Sequence, residues 1–294
     1  DDLNNNTNVV QIVDYTFTPH IRPGDGGTEC NGGSPFPVRV YLDPQPKITI
    51  NTDTLLCFDG NASFNITTVN SSLHAASLWR YDVTVNYPAG VTGSWTAGLF
   101  DQTATSITDD LTNTTDIVQT VTYIFTPHIR PGDGGSECQS GVPFIITVDL
   151  DPQPKMAVTT DQVLCYDGDA IFNISTVHSV LGPGSQWRYD VSVVYPAGVT
   201  GSWAAGLTNQ SAANLTDNLT NTTNIVQTVV YTFTPYIRPG DGGSECRNGV
   251  PVIITVDLDP QPKIAVTTDQ LLCYDGDARF NISTVNTLLS GGSQ

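Results

Sequence analysis

The chain has 294 residues, 39% of them hydrophobic, enough for a packed core in two or three domains and against wholesale disorder. Its formal net charge of −18, with lysine only at Lys47, Lys155 and Lys263, repels phosphate backbones and anionic lipid, which makes nucleic acid and bare membrane poor partners and favours cations. No apolar run approaches ~20 residues, so no membrane-spanning helix is expected.

Asp43-Pro-Gln-Pro-Lys47 recurs at Asp151–Lys155 and Asp259–Lys263, a period of 108 residues, and 75 of 108 positions are identical between 43–150 and 151–258. The domain reading is a C-terminal part of a repeat at 1–42, complete repeats at 43–150 and 151–258, and an N-terminal part at 259–294. Because the ends fall out of phase, the segment reads as a window on a longer array. The rival reading lets the head and tail fragments complement each other between chains; together they supply 78 of 108 positions.

Within the first complete repeat the runs come in order. Phe64 and Ile66 alternate with Ser63, Asn65 and Thr67, and Trp79, Tyr81, Val83, Val85 and Tyr87 share one face of the next run. Val121, Tyr123 and Phe125 alternate with Thr122, Ile124 and Thr126, and Phe144, Ile146, Val148 and Leu150 close the repeat. Turn signals at Asp59-Gly60, Pro88–Gly90 and Pro131–Gly135 separate these runs, and no segment sustains a 3.6-residue period with caps. The fold expected is all-β, tandem Ig-like sandwiches of about seven strands each. Trp79 and Trp187 are the expected core tryptophans.

Taken in order, Leu111–Thr115, Gln119–Pro127, Cys138, Gly141–Pro143 and Ile146–Val148 leading into Asp151–Pro154, with Cys57–Gly60 ahead of them, resemble the PKD-like, Ig-type repeats of secreted bacterial cell-surface proteins. The resemblance implies a spacer or adhesion module at the cell surface. The long Arg130–Cys138 loop departs from the family pattern.

No catalytic apparatus is visible. His20 and His128 occupy a position that is Tyr236 in the third copy, and no Gly-x-Ser-x-Gly or His-Glu-x-x-His motif appears. Six cysteines in a secreted setting suggest disulfides. Two pairings stand: within a repeat, Cys57–Cys138 and Cys165–Cys246, or across repeats, Cys57–Cys246. Ig topology prefers the second, because each within-repeat pair lies at opposite ends of a strand of ~8–10 residues, ~30 Å long, while bridged Cα atoms lie within ~7 Å. Such a bridge is expected to gather Asp59, Asp149, Asp151, Asp241 and Glu245 at one junction, where Ca²⁺ is the expected cation. No other cofactor is required. Asn-x-Ser/Thr sequons recur at Asn65, Asn173 and Asn281 and at Asn5, Asn113 and Asn221; all six are glycosylation candidates.

The function expected is a non-catalytic building block of a long extracellular filament or stalk, with neighbouring repeats of a homopolymeric fibre as partners. The alternatives are an adhesin module that binds glycan or protein, and the spacer of a larger secreted enzyme. Against an adhesin, Arg130–Cys138 matches Arg238–Cys246 at every position while changes collect at 72–78 and 100–106.

Overall fold

The computed structural model describes residues 1–139, 141–268 and 271–294. Its regular structure is all strand, arranged as Ig-like β-sandwiches. Two compact units emerge. The first holds Asp1–Leu56, Gly60–Thr112 and Thr120–Asp149; the second holds Leu150–Gln294 together with Cys57–Asp59 and Asn113–Gln119.

In the second unit, a five-stranded sheet runs in the order Val163–Leu164, Val252–Leu258, Gln227–Arg238, Gln186–Val194 and Leu207–Gln210. It faces a three-stranded sheet of Met156–Thr159, Asp169–Thr176 and Asn214–Asn218. Alternation explains the core: Ala170, Phe172 and Ile174 point inward from one sheet, and Tyr189, Val191, Val229, Tyr231, Phe233, Val256 and Leu258 from the other. Phe172 meets Tyr231 and Phe233 with ring centroids at 4.6 and 5.3 Å. The first unit has the same pair of sheets, with Phe64 at 4.6 Å from Tyr123 and 5.3 Å from Phe125. It also carries the hairpin Gln11–Phe17 with Phe36–Leu42, and the second unit carries the hairpin Ile264–Thr268 with Phe280–Thr284.

The tryptophan assignment needs correction. Trp79 and Trp187 are only half-buried, whereas Trp95 and Trp203, 7% and 6% exposed, fill the cores. Trp95 packs against Phe64 and Tyr123, Trp203 against Phe172 and Tyr231. Period-two alternation tells which face a residue takes, not how far along the strand the opposing sheet reaches. Trp79 pairs with Ile129 near the strand's start, one inward position beyond the buried Tyr81.

One further core feature escaped the sequence reading. Asp109 is fully buried and accepts from the Tyr87 and Tyr123 hydroxyls at 2.6 and 2.8 Å and from the Ser94 N–H at 2.6 Å. Asp217 does the same with Tyr195, Tyr231 and Ser202 at 2.6, 2.8 and 2.6 Å. Burial and then the neighbouring carboxylate push the Tyr195 and Tyr231 phenols upward, so both stay protonated donors. Gly201 is glycine because a Cβ there would stand 2.3 Å from the Tyr195 hydroxyl.

Candidate functional site

The recurrent chemistry lies at the repeat boundaries, where one arrangement is built three times, each time within a single compact unit. Its first part is an Asn-x-Thr turn. Asn113 Oδ1 accepts from the Thr115 N–H at 2.9 Å and the Thr115 hydroxyl at 2.7 Å, while Nδ2 donates to the carbonyls of Ile117 at 2.8 Å and Leu150 at 2.9 Å. Asn5 makes the equivalent bonds to Thr7, Val9 and Leu42, and Asn221 to Thr223, Ile225 and Leu258. The asparagine thus ties the chain entering one long strand to the end of its neighbour, 37 residues later.

The second part is the linker aspartate that follows. Asp151 accepts from the Gly182 N–H at 2.6 Å and the Ser185 hydroxyl at 2.7 Å. Asp43 accepts from the His74 N–H and the Ser77 hydroxyl, and Asp259 from Ser290 and Ser293. Burial works to raise the Asp259 carboxyl, but the bonds from Ser293 and Ser290 outweigh it and hold it below the ordinary carboxylate range.

The third part is a side chain that accepts the linker lysine's N–H. Asn70 does this for Lys47 at 2.9 Å and Asn286 for Lys263 at 2.8 Å; each also donates to the carbonyl two residues earlier in the linker, Gln45 or Gln261. At the middle boundary His178 takes the position, with Nε2 accepting from the Lys155 N–H at 2.8 Å and Nδ1 lying 3.3 Å from the Asp116 carbonyl. Burial pushes this imidazole below its ordinary range. An ion pair of Lys155 with Asp116 at 2.7 Å stands beside it. Short parallel bridges Val9–Ser72, Ile117–Val180 and Ile225–Leu288 complete the three boundaries.

The second unit adds a covalent link. Cys57 and Cys246 form a disulfide, with Cα atoms 5.4 Å apart and 189 residues between them in sequence. Beside it Asn248 donates to the Asp59 carboxylate at 2.7 Å. The within-repeat pairing Cys165–Cys246 is absent, and Cys138, the within-repeat partner for Cys57, is a free thiol, as are Cys30, Cys165 and Cys273. The reason is the length of a strand. Tyr166, next to Cys165, accepts from the N–H of Asn221, before Gln227–Arg238 begins; Cys246 bridges Ile237 at that strand's end. At 3.3 Å per residue those places lie roughly 30 Å or more apart.

The expected acidic cluster is not built. Asp59 is taken by Asn248, Asp149 by the Thr120 hydroxyl at 2.6 Å, and Asp151 by Gly182 and Ser185. Asp241 turns back on the N–H of Gly243, and Glu245 binds Arg238 and Arg247. Among the described residues no three His, Cys, Asp or Glu side chains come together as a metal-holding group.

The sequons divide in two. Asn5, Asn113 and Asn221 are buried, with Nδ2 committed to two carbonyls each, so the nitrogen that would carry a glycan is inside the fold. Asn65, Asn173 and Asn281 lie exposed on their strands, alternating with inward-facing neighbours in the complete repeats.

A model of the PKD-like domain matches residues 56–154 and again 164–262. The chain belongs to the PKD-like domain family. Among curated proteins none matches. Among solved structures, the FN1–FN3 domains of chicken CNTN1 share 13% identity at a TM-score of 0.29, covering 84% of this chain and 77% of that one. The D00–D0 domain of intimin shares 12% at a TM-score of 0.33, covering 71% of this chain and 98% of that one. Domains 4–9 of the surface layer protein SbsC share 12% at 0.22, covering 82% of this chain and 36% of that one. No helix among the described residues is long and apolar enough to cross a membrane.

Proposed function

We propose that this PKD-like chain is a non-catalytic structural module of an extracellular filament or stalk, built by repeating one domain and one boundary. The observation that carries the reading is the thrice-built boundary: the same asparagine, linker aspartate and backbone bridge recur at each one. A chain selected to extend needs the same joint every time, and neighbour-only contacts make its stability roughly additive. The identity of Arg130–Cys138 with Arg238–Cys246 fits this better than an adhesin loop, since the second copy carries the Cys246 bridge. An extracellular setting suits the disulfide. Asn65, Asn173 and Asn281 are the positions where surface glycan would sit.

Electron microscopy of the purified protein tests the reading. Uniform filaments with a single-domain axial period are expected. Discrete particles that never elongate at high concentration would overturn it.

A further inference from the structure

The sequence holds two Asn-Gly pairs, Asn31-Gly32 and Asn248-Gly249, and the latter stands beside the disulfide of the second unit. Asn248 follows Cys246 by two positions and Asp59 follows Cys57 by two, so the bridge holds these side chains within reach of each other. Asn248 Nδ2 donates to Asp59 Oδ1 at 2.7 Å. The backbone is pinned on either side of Asn248. The Cys246 N–H donates to the Ile237 carbonyl at 2.8 Å, and the Val250 N–H to the Pro154 carbonyl at 3.1 Å.

The segment between those two bonds has the chemistry for losing an amide. Residues 247–250 lie outside the strands, and Asn248 is exposed. The Gly249 N–H has no hydrogen-bond partner among the described residues, so no bond ties its nitrogen to another acceptor. Glycine carries no Cβ to shield that nitrogen. The position does not admit another residue, because a Cβ there would stand 2.1 Å from the Pro235 carbonyl oxygen. The fold itself therefore sets the most permissive neighbour after Asn248.

We propose that Asn248 is a site of spontaneous deamidation, and that the carboxylate formed there replaces a hydrogen bond beside the disulfide with a like-charge contact. The Gly249 nitrogen, its proton lost to water, attacks Asn248 Cγ. The N–Cγ bond forms, the Cγ–Nδ2 bond breaks, and Nδ2 leaves as ammonia. Water then opens the cyclic imide at either carbonyl, giving aspartate or isoaspartate with no oxidant or reductant. A carboxylate has no hydrogen to donate to Asp59, and two like charges at that range repel. The disulfide keeps them from separating. Isoaspartate also adds a main-chain methylene between the Cys246 and Val250 bonds, which shifts one against the other.

The test holds the full, oxidised chain at mildly alkaline pH in heavy-oxygen water and maps its peptides over weeks by mass spectrometry. The peptide with Asn248 is expected to gain the deamidation mass with heavy oxygen and to resolve into aspartate and isoaspartate forms, while the buried Asn113 and Asn221 stay intact. Asn248→Gln keeps a donor but closes the imide far more slowly, and should show no conversion. Conversion at Asn31 with Asn248 unchanged, or at neither, would overturn the proposal. Asn248→Asp isolates the charge effect. Hydrogen exchange at the Cys246 and Val250 amides should quicken roughly two- to fivefold at low salt, the range of an exposed charge pair, and slow again at high salt. Exchange equal to that of the unaltered chain would overturn the like-charge step.

Discussion

Asn113 Nδ2 donates to the Leu150 carbonyl across 2.9 Å, a bond that ties the start of one long strand to the end of the next. With Ile117 it fills both amide hydrogens, and Oδ1 is filled by Thr115. Asn113→Ala should therefore strand buried donors and acceptors and cost about 2–4 kcal/mol in chemical denaturation. Asn113→Asp should destabilise as well, since a carboxylate cannot donate to either carbonyl.

The same bonds predict a division among the sequons. In a host with N-glycosylation machinery, glycopeptide mapping should find occupancy at Asn65 and Asn173 and none at Asn113 or Asn221 in folded protein. Occupancy at Asn113 would mean that its turn forms after modification.

Asp217 holds two tyrosine hydroxyls and one backbone N–H inside the core. Asp217→Ala should cost about 3–5 kcal/mol, measured as a drop in unfolding free energy, because three buried donors lose their acceptor together.

Trp203 fills the second core while Trp187 packs only against its edge. Trp203→Ala should cost about 3–5 kcal/mol by cavity formation, and Trp187→Ala should cost distinctly less. Equal losses in thermal melts would show that the edge position matters as much as the centre.

His178 makes one boundary sensitive to acid. Its folded pKa is depressed by burial, so its contribution is fully present above the unfolded value of about 6.5 and is lost as pH falls through the lower folded value. The Asp116 and Asp151 carboxylates oppose the depression, and the Lys155 ammonium adds to it. Protonation converts Nε2 from acceptor to donor and breaks its bond with the Lys155 N–H. Hydrogen exchange at 116–118 and 178–180 should rise on acidification in the native chain. His178→Asn, which matches Asn70 and Asn286, should remove that rise.

The sequence by itself determined the period, the all-β sandwich and the inward face of each strand, because period-two alternation and 108-residue identity are written locally in residue order. It showed that Phe64, Tyr81 and Phe125 belong to one core. Tertiary structure decided the rest, since each remaining question turned on a partner distant in sequence. Trp95 rather than Trp79 is central because the opposing sheet decides where the core ends. Asn113-Thr114-Thr115 has the letters of a glycosylation site, yet its amide is consumed by a carbonyl 37 residues away. The acidic residues that looked like a metal cluster each find a separate donor, and Cys57 meets a thiol 189 residues on. A one-dimensional pattern carries the face of a strand; it does not carry which distant group reaches that face first.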